Sequence, residues 1–190
     1  MGKLVVTEFV SLDGVMEDPG GAEGYEHGGW TFKFDRGAEG DKFKLDELMA
    51  ADAQLLGRRT YEGFAKAWPA IEDDAGFADK MNSMPKFVVS KTLQSADWAN
   101  STVLSGDLAE DVGALKQRFS GDILVAGSAQ LVQGLLRHDL VDELRLMVFP
   151  VTLGTGKRLF EDGADSRMFE LVETSQSGAV ALLTLRRAAA

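Results

Sequence analysis

The chain has 190 residues and no cysteine. That absence excludes disulfides, a thiolate nucleophile, Fe–S clusters and cysteine-ligated zinc, and it fits a reducing compartment. Positive charge is scarce: 20 Lys and Arg face 30 Asp and Glu, a net charge of −10. A broad basic face for nucleic acid or an anionic membrane is therefore not expected. Histidine occurs twice, as His27 and His138, and neither lies in an H-E-x-x-H pattern, so no metal centre is expected. Long apolar runs are also missing. Nothing approaches the roughly 20 residues of a membrane helix. The N-terminal run from Leu4 to Thr7 is interrupted by Glu8 and is too short for a signal peptide. The expectation is a soluble, cytoplasmic protein.

What is present is ordinary globular composition, with 45% apolar and 26% charged residues. A chain of this length reads as one domain, residues 1–190. It buries roughly 70% of its unfolded surface, enough for a core without staples. Residues 3–10 are β-branched and aromatic and read as a strand. Residues 17–37 form a glycine-rich loop carrying Tyr25, Trp30, Phe32 and Phe34, more aromatic than a solvated linker. Helix over 40–51, strand over 53–57 and helices over 58–66 and 74–83 follow. Strands are expected at 86–90 and 102–104, and Asp107 with Glu110 resembles a capping box for a helix through 119. A strand at 122–126, an amphipathic helix at 128–137 and a strand at 142–149 lead to two terminal strands joined near Ser177-Gly178. Strands alternate with helices and then strands alone remain. That order predicts an α/β sandwich with a mainly parallel sheet and antiparallel edge strands.

Three junctions carry candidate chemistry. In Leu55-Leu56-Gly57-Arg58-Arg59-Thr60 a strand ends at glycine and two arginines open a helix. Arginine in a first turn opposes the helix dipole, and a bound anion reverses that sign. The other reading is a solvated arginine pair. In Val125-Ala126-Gly127-Ser128-Ala129-Gln130 a second strand ends at glycine, and Ser128 stands at the helix N-cap. This is a phosphate site or a plain strand–turn–helix junction. Both junctions lie at strand C-terminal ends, where open α/β sheets collect ligands. In Ser11-Leu12-Asp13-Gly14 the Asp-Gly pair is a structural turn or places Asp13 at a pocket mouth as a proton relay. The loop after it could close over the site, with Trp30 and Phe32 walling a flat heterocycle. Other motifs fail. Gly156-Lys157 lacks the P-loop glycine, Val151 standing there, and Arg158 replaces the required Ser or Thr. Neither G-x-G-x-x-G after a strand nor G-x-S-x-G occurs.

The segments Ser11–Gly14, Leu56–Glu62, Lys86–Ser90 and Val125–Ser128, with Leu140–Leu144 and Pro150–Gly156, resemble the dihydrofolate reductase-like superfamily. The nearer likeness is to the branch holding the C-terminal reductase domain of the bifunctional riboflavin-biosynthesis deaminase-reductase. The resemblance implies a three-layer α/β sandwich with an eight-stranded mixed sheet and a C-terminal antiparallel hairpin. It also implies NADPH as cofactor, a small-molecule substrate and a homodimer. The apolar residues of 142–153, more than one sheet face needs, point the same way. By resemblance, Gly57, Arg58, Thr60 and Arg59 hold the cofactor phosphates and Ser90 meets the adenosine end. Gly127, Ser128 and Gln130 meet the pyrophosphate and nicotinamide side, and Asp13 and Gly14 line the substrate pocket. The family's paired glycines are Ala126-Gly127 here. The deaminase half needs cysteine ligands, so a reductase-like domain alone is expected. The implied activity is reduction of a pterin-like or pyrimidine-like heterocycle. The alternatives are a nucleotide-binding protein of the same fold without turnover, or a true dihydrofolate reductase.

Overall fold

The computed structural model describes residues 1–188. Eight strands form one sheet: β1 (Lys3–Ser11), β2 (Ala51–Gly57), β3 (Lys86–Val89), β4 (Ser101–Leu104), β5 (Asp122–Val125), β6 (Glu143–Phe149), β7 (Phe169–Ser177) and β8 (Val180–Arg187). Their spatial order is β4-β3-β2-β5-β1-β6-β8-β7. The pairs from β4 across to β6 are parallel, and β8 runs antiparallel to both β6 and β7. Five helices connect them: α1 (Gly37–Ala50), α2 (Arg58–Ala67), α3 (Phe77–Ser83), α4 (Leu108–Arg118) and α5 (Ala129–Arg137). The expected three-layer α/β sandwich is the observed one. No described helix is long and apolar enough to cross a membrane.

Alternation along the strands builds the layers. On β1, Leu4, Val6 and Val10 pack with Val112 and Leu115 of α4 and with Val132 and Leu135 of α5. Val5 points the other way, onto Leu48 of α1, Tyr61 of α2 and Met81 of α3. In α5, Leu131, Val132, Leu135 and Leu136 are buried at the spacing of one helical face. Lys86 is fully buried at the start of β3. Its ammonium donates to the carbonyls of Asn82, Met84 and Ala99 and lies 4.3 Å from the Trp98 ring centroid, tying β3 to its neighbours.

Local chemistry explains the shifted boundaries. The helix expected from residue 74 begins at Phe77. Asp73 accepts the Phe77 and Ala78 N–H groups, and Gly76 turns the chain at φ 78°. Asp107 caps α4 by accepting from Ala109 and Glu110. The apolar excess of 142–153 has an internal destination. Leu144 and Leu146 enter the core under α4 and α5, while Met147 and Phe149 join a separate cluster with Trp30, Val180 and Leu182. That segment therefore gives no open apolar face for a partner. Exposed apolar side chains lie instead on β7, at Leu171 and Val172.

The sheet also opens the site. Pairing of β1 with β5 stops at Val6 and Val125, whereas pairing of β1 with β6 continues to Ser11 and Phe149. Beyond Val125 the two central strands separate, and a cleft begins at the C-terminal ends of the parallel strands.

Candidate functional site

A cavity of about 1370 Å³ occupies this cleft, above the roughly 300–1,000 Å³ of a pocket for one small ligand. Two glycine turns form its floor. Gly57 N–H donates to the Gly127 carbonyl at 3.2 Å. A Cβ on Gly57 would approach Ser128 N to 2.9 Å, and one on Gly127 would approach Thr60 Oγ1 to 2.7 Å. Gly127 also has φ +82°, a conformation that favours glycine. The two turns touch because neither carries a side chain between them. Each feeds a helix without a side-chain cap: α2 starts after Gly57, and the Ser128 hydroxyl makes no capping bond to α5. First-turn N–H groups of both helices are thus left for a ligand or water.

Arg58 and Arg59 stand in the first turn of α2 although the chain is acidic. Arg58, Arg59, Lys91, Arg137 and Lys157 line the cavity. Arg58 is half-engaged by Glu62, at 3.2 Å, and Arg59 forms no ion pair among the described residues. Lys157 pairs with Glu17. Ser90, at the end of β3, accepts from the N–H groups of Thr92 and Leu93 at 3.2 and 3.0 Å. Gly57, Arg58, Arg59, Thr60, Ser90, Gly127, Ser128 and Gln130, proposed on sequence, all border this one cavity.

Four expected residues do not. Trp30 is wholly buried against Phe149, Met147, Val180 and Leu182, and its Nε1 donates to the Glu17 carbonyl at 2.9 Å. It anchors the loop from below. Phe32 is 79% exposed and lies outside the cavity. Asp13 and Gly14 belong to a turn. Asp13 accepts from Ser11 Oγ at 2.6 Å, from Leu153 N–H at 3.1 Å and from Gly154 N–H at 2.8 Å. The Ser11 hydroxyl, then the Gly154 and Leu153 N–H groups, hold its carboxyl down at about 2. The carboxyl thus braces the Ser11–Gly14 turn against the Leu153-Gly154 segment. The first part of the loop does line the cavity, through Glu17, Asp18, Pro19, Gly20 and Glu23.

Other aromatic side chains do line the cavity. Phe64 and Trp68 of the α2 region and Phe77 of α3 wall the arm under α1 to α3, with Trp68 and Phe77 rings 5.2 Å apart. Spacing of four between Phe64 and Trp68 is the signal that puts both on one helix face. A polar group faces the same arm. Lys44 Nζ donates to Thr7 Oγ1 at 2.6 Å, Thr7 donates to Glu47 Oε1 at 2.7 Å, and Lys44 pairs with Glu47 at 2.5 Å. The other oxygen of Glu47 is buried with no hydrogen-bond partner among the described residues. A buried orphan acceptor costs about 1–3 kcal/mol unless a ligand donates to it.

Glu8 borders the site without any motif in the sequence to mark it. It lies mid-strand in β1, 9% exposed, borders the cavity and accepts from Gly127 N–H at 2.6 Å. Burial pushes its carboxyl up to about 8, against the lowering effects of the Gly127 N–H and Lys44.

Comparison with known proteins places this architecture. The family model described as the RibD C-terminal domain matches residues 2–183. The uncharacterized Bacillus subtilis protein YwjB is 29% identical over 186 residues, covering 98% of both chains. A crystal structure of a Shewanella sp. PV-4 protein, provisionally named for riboflavin biosynthesis, superposes with a TM-score of 0.77 at 22% identity, covering 98% of this chain and 99% of that one. Acinetobacter baumannii RibD superposes with a TM-score of 0.64 at 18% identity, covering all of this chain and 59% of RibD. At these identities the structural matches carry the fold, which is dihydrofolate reductase-like.

Proposed function

Since the chain belongs to the RibD C-terminal domain family, we propose that it is a cytoplasmic, NADPH-dependent reductase of a small pterin-like or pyrimidine-like heterocycle. The observation that carries this reading is the meeting, in one cavity, of two uncapped helix N-termini, two touching glycine turns and Arg59, which has no ion pair among the described residues.

The residues present fit the cofactor. Because the Gly57 and Gly127 turns pack against each other, the helix N-termini they open lie side by side, and the N–H groups opening α2 and α5 would donate to a pyrophosphate there. Arg58, Arg59 and Thr60 flank that position, and Ser90, Gln130 and Lys91 border its other end. Bound there, NADPH supplies a hydride for an electron-poor ring carbon. The arm under α1 to α3 suits the substrate. Phe64, Trp68 and Phe77 offer aromatic faces to a flat ring, and Glu47 borders the same cavity. A net charge of −10 leaves nucleic acid and anionic membranes outside the proposal.

Titration with NADPH tests the reading through Trp68, which borders the cavity, whereas Trp30 is sealed in the core. Quenching of tryptophan fluorescence that is lost in Trp68→Phe, with NADPH consumption on a panel of pterins and pyrimidines, supports it. Binding without consumption identifies a nucleotide-binding protein. Turnover of dihydrofolate at an ordinary enzyme rate identifies a dihydrofolate reductase. The proposed homodimer would cover β7, the free sheet edge where Leu171 and Val172 are exposed. Sedimentation as a monomer removes that part of the proposal.

A further inference from the structure

Glu8 has the setting of a buried acid rather than of a salt-bridged carboxylate. It stands on β1 just past Val6, where pairing with β5 ends, so it lies at the opening between the two strands. One oxygen is taken by the Gly127 N–H. The other, Oε2, has no hydrogen-bond partner among the described residues, and the side chain borders the cavity. Glu8 is in no ion pair among the described residues, whereas Glu47 has Lys44. An unpaired carboxyl removed from water takes its neutral form.

We propose that Glu8 is the proton donor of the reduction, its Oε2 hydrogen passing to a ring nitrogen of the heterocycle. This rests on the reductase reading above. The step balances on a C=N bond: hydride from the dihydronicotinamide forms the new C–H bond, and the π electron pair forms the N–H bond with the Glu8 proton. The nicotinamide loses two electrons and the heterocycle gains them. Glu8 is left as a carboxylate and regains a proton from solvent through the cavity.

The surroundings agree. The charged groups acting on Glu8 come from α1, where Lys44 lowers its pKa and Glu47 raises it, and the 126–128 turn brings an N–H but no charge. Burial dominates and sets the carboxyl at about 8, so it holds its proton at neutral pH. Neutral Glu8 also sits beside the proposed phosphate turn without repelling it. An ionised Glu8 would repel a phosphate there, so cofactor binding and protonation favour each other.

Calorimetric titration of NADPH at pH 8, in two buffers of different ionisation enthalpy, measures this coupling. Wild type is expected to take up a fraction of a proton per NADPH, and Glu8→Gln none. Equal uptake in both proteins overturns the proposal, whereas absence of any binding heat overturns the cofactor reading instead. Infrared difference spectra of wild type minus Glu8→Gln need no ligand. A protonated carboxyl band at pH 7 that fades as pH rises supports the assignment, and a carboxylate at pH 7 overturns it. With any heterocycle that is turned over, Glu8→Gln should lose about 10²–10⁴-fold in kcat while still binding NADPH. Undiminished kcat rejects the role.

Discussion

A Cβ placed on Gly57 would lie 2.2 Å from Ser128 Oγ, and the two residues open the helices α2 and α5. The Ser128 backbone nitrogen, 2.9 Å from the same point, prevents relief by a side-chain rotation alone. Gly57→Ala should therefore push the 126–128 turn away from α2 at a cost of about 1–3 kcal/mol in overpacking. NADPH affinity should fall at least as far as thermal stability does. A variant that melts lower but binds NADPH as tightly as wild type would show that the contact serves folding alone.

Arg58 and Arg59 are adjacent in sequence but differ in engagement. Arg58 reaches Glu62 one turn on, whereas Arg59 feels Glu17 and Glu23 only at longer range. A charge-assisted bond to phosphate is worth about 1.5–3 kcal/mol, so Arg59→Ala should weaken NADPH binding roughly 10- to 150-fold. Arg58→Ala should weaken it less, because Glu62 already holds part of that guanidinium. Fluorescence titration of both variants at low and high salt decides the order. Equal losses would mean that Arg58 leaves Glu62 on binding.

The glycine-turn side of the cavity was legible because its geometry is local. A strand ending in glycine before a helix fixes where N–H groups point, and Gly57 and Gly127 each announce this within a few residues. Trp30 and Phe32 were not legible. Nothing local decides whether a loop aromatic turns to a ligand, to solvent or to the core, and Phe149, far along the chain, captures Trp30 with ring centroids 5.3 Å apart. Glu8 stood in plain view within an apolar strand. Its parity with Val6 and Val10 already placed it on an inward face, a signal stronger than its charge suggested. The fold was legible because the order of strands and helices limits the topologies available. The apolar excess of 142–153 has no bearing on a dimer, because β6 is a central strand whose two faces feed separate cores.

Asp13 gives a contrasting prediction, for stability without chemistry. Its folded carboxyl is depressed to about 2 from 3.8, so its contribution is full above pH 3.8 and is lost as pH falls toward 2. Asp13→Ala frees the Leu153 and Gly154 N–H groups and should cost about 1–3 kcal/mol at neutral pH. The difference in melting temperature from wild type should shrink in acid. NADPH affinity should be unchanged, since the turn lies outside the cavity. Loss of turnover with binding and stability intact would restore a chemical role to Asp13.

Glu8 reverses that sign. Its carboxyl is raised from 4.5 to about 8 by burial, so between those values the folded chain keeps a proton that the unfolded chain releases. Stability therefore falls as pH rises through this window, and by about pH 8 the accumulated loss is on the order of a few kcal/mol. Glu8→Gln carries no titrating group, while its side-chain carbonyl can still accept from Gly127 N–H. Wild type and variant should thus be most alike near pH 4.5, with the variant gaining steadily toward pH 8 and levelling off above it. Urea melts across the range measure this gain. Parallel curves would place the Glu8 carboxyl at its ordinary value and leave it charged at neutral pH. The same few kcal/mol explain why such a group stands at a site rather than elsewhere in the core. A buried acid lowers stability at neutral pH, and one bordering the cavity beside the Gly127 turn is placed where a held proton has a use.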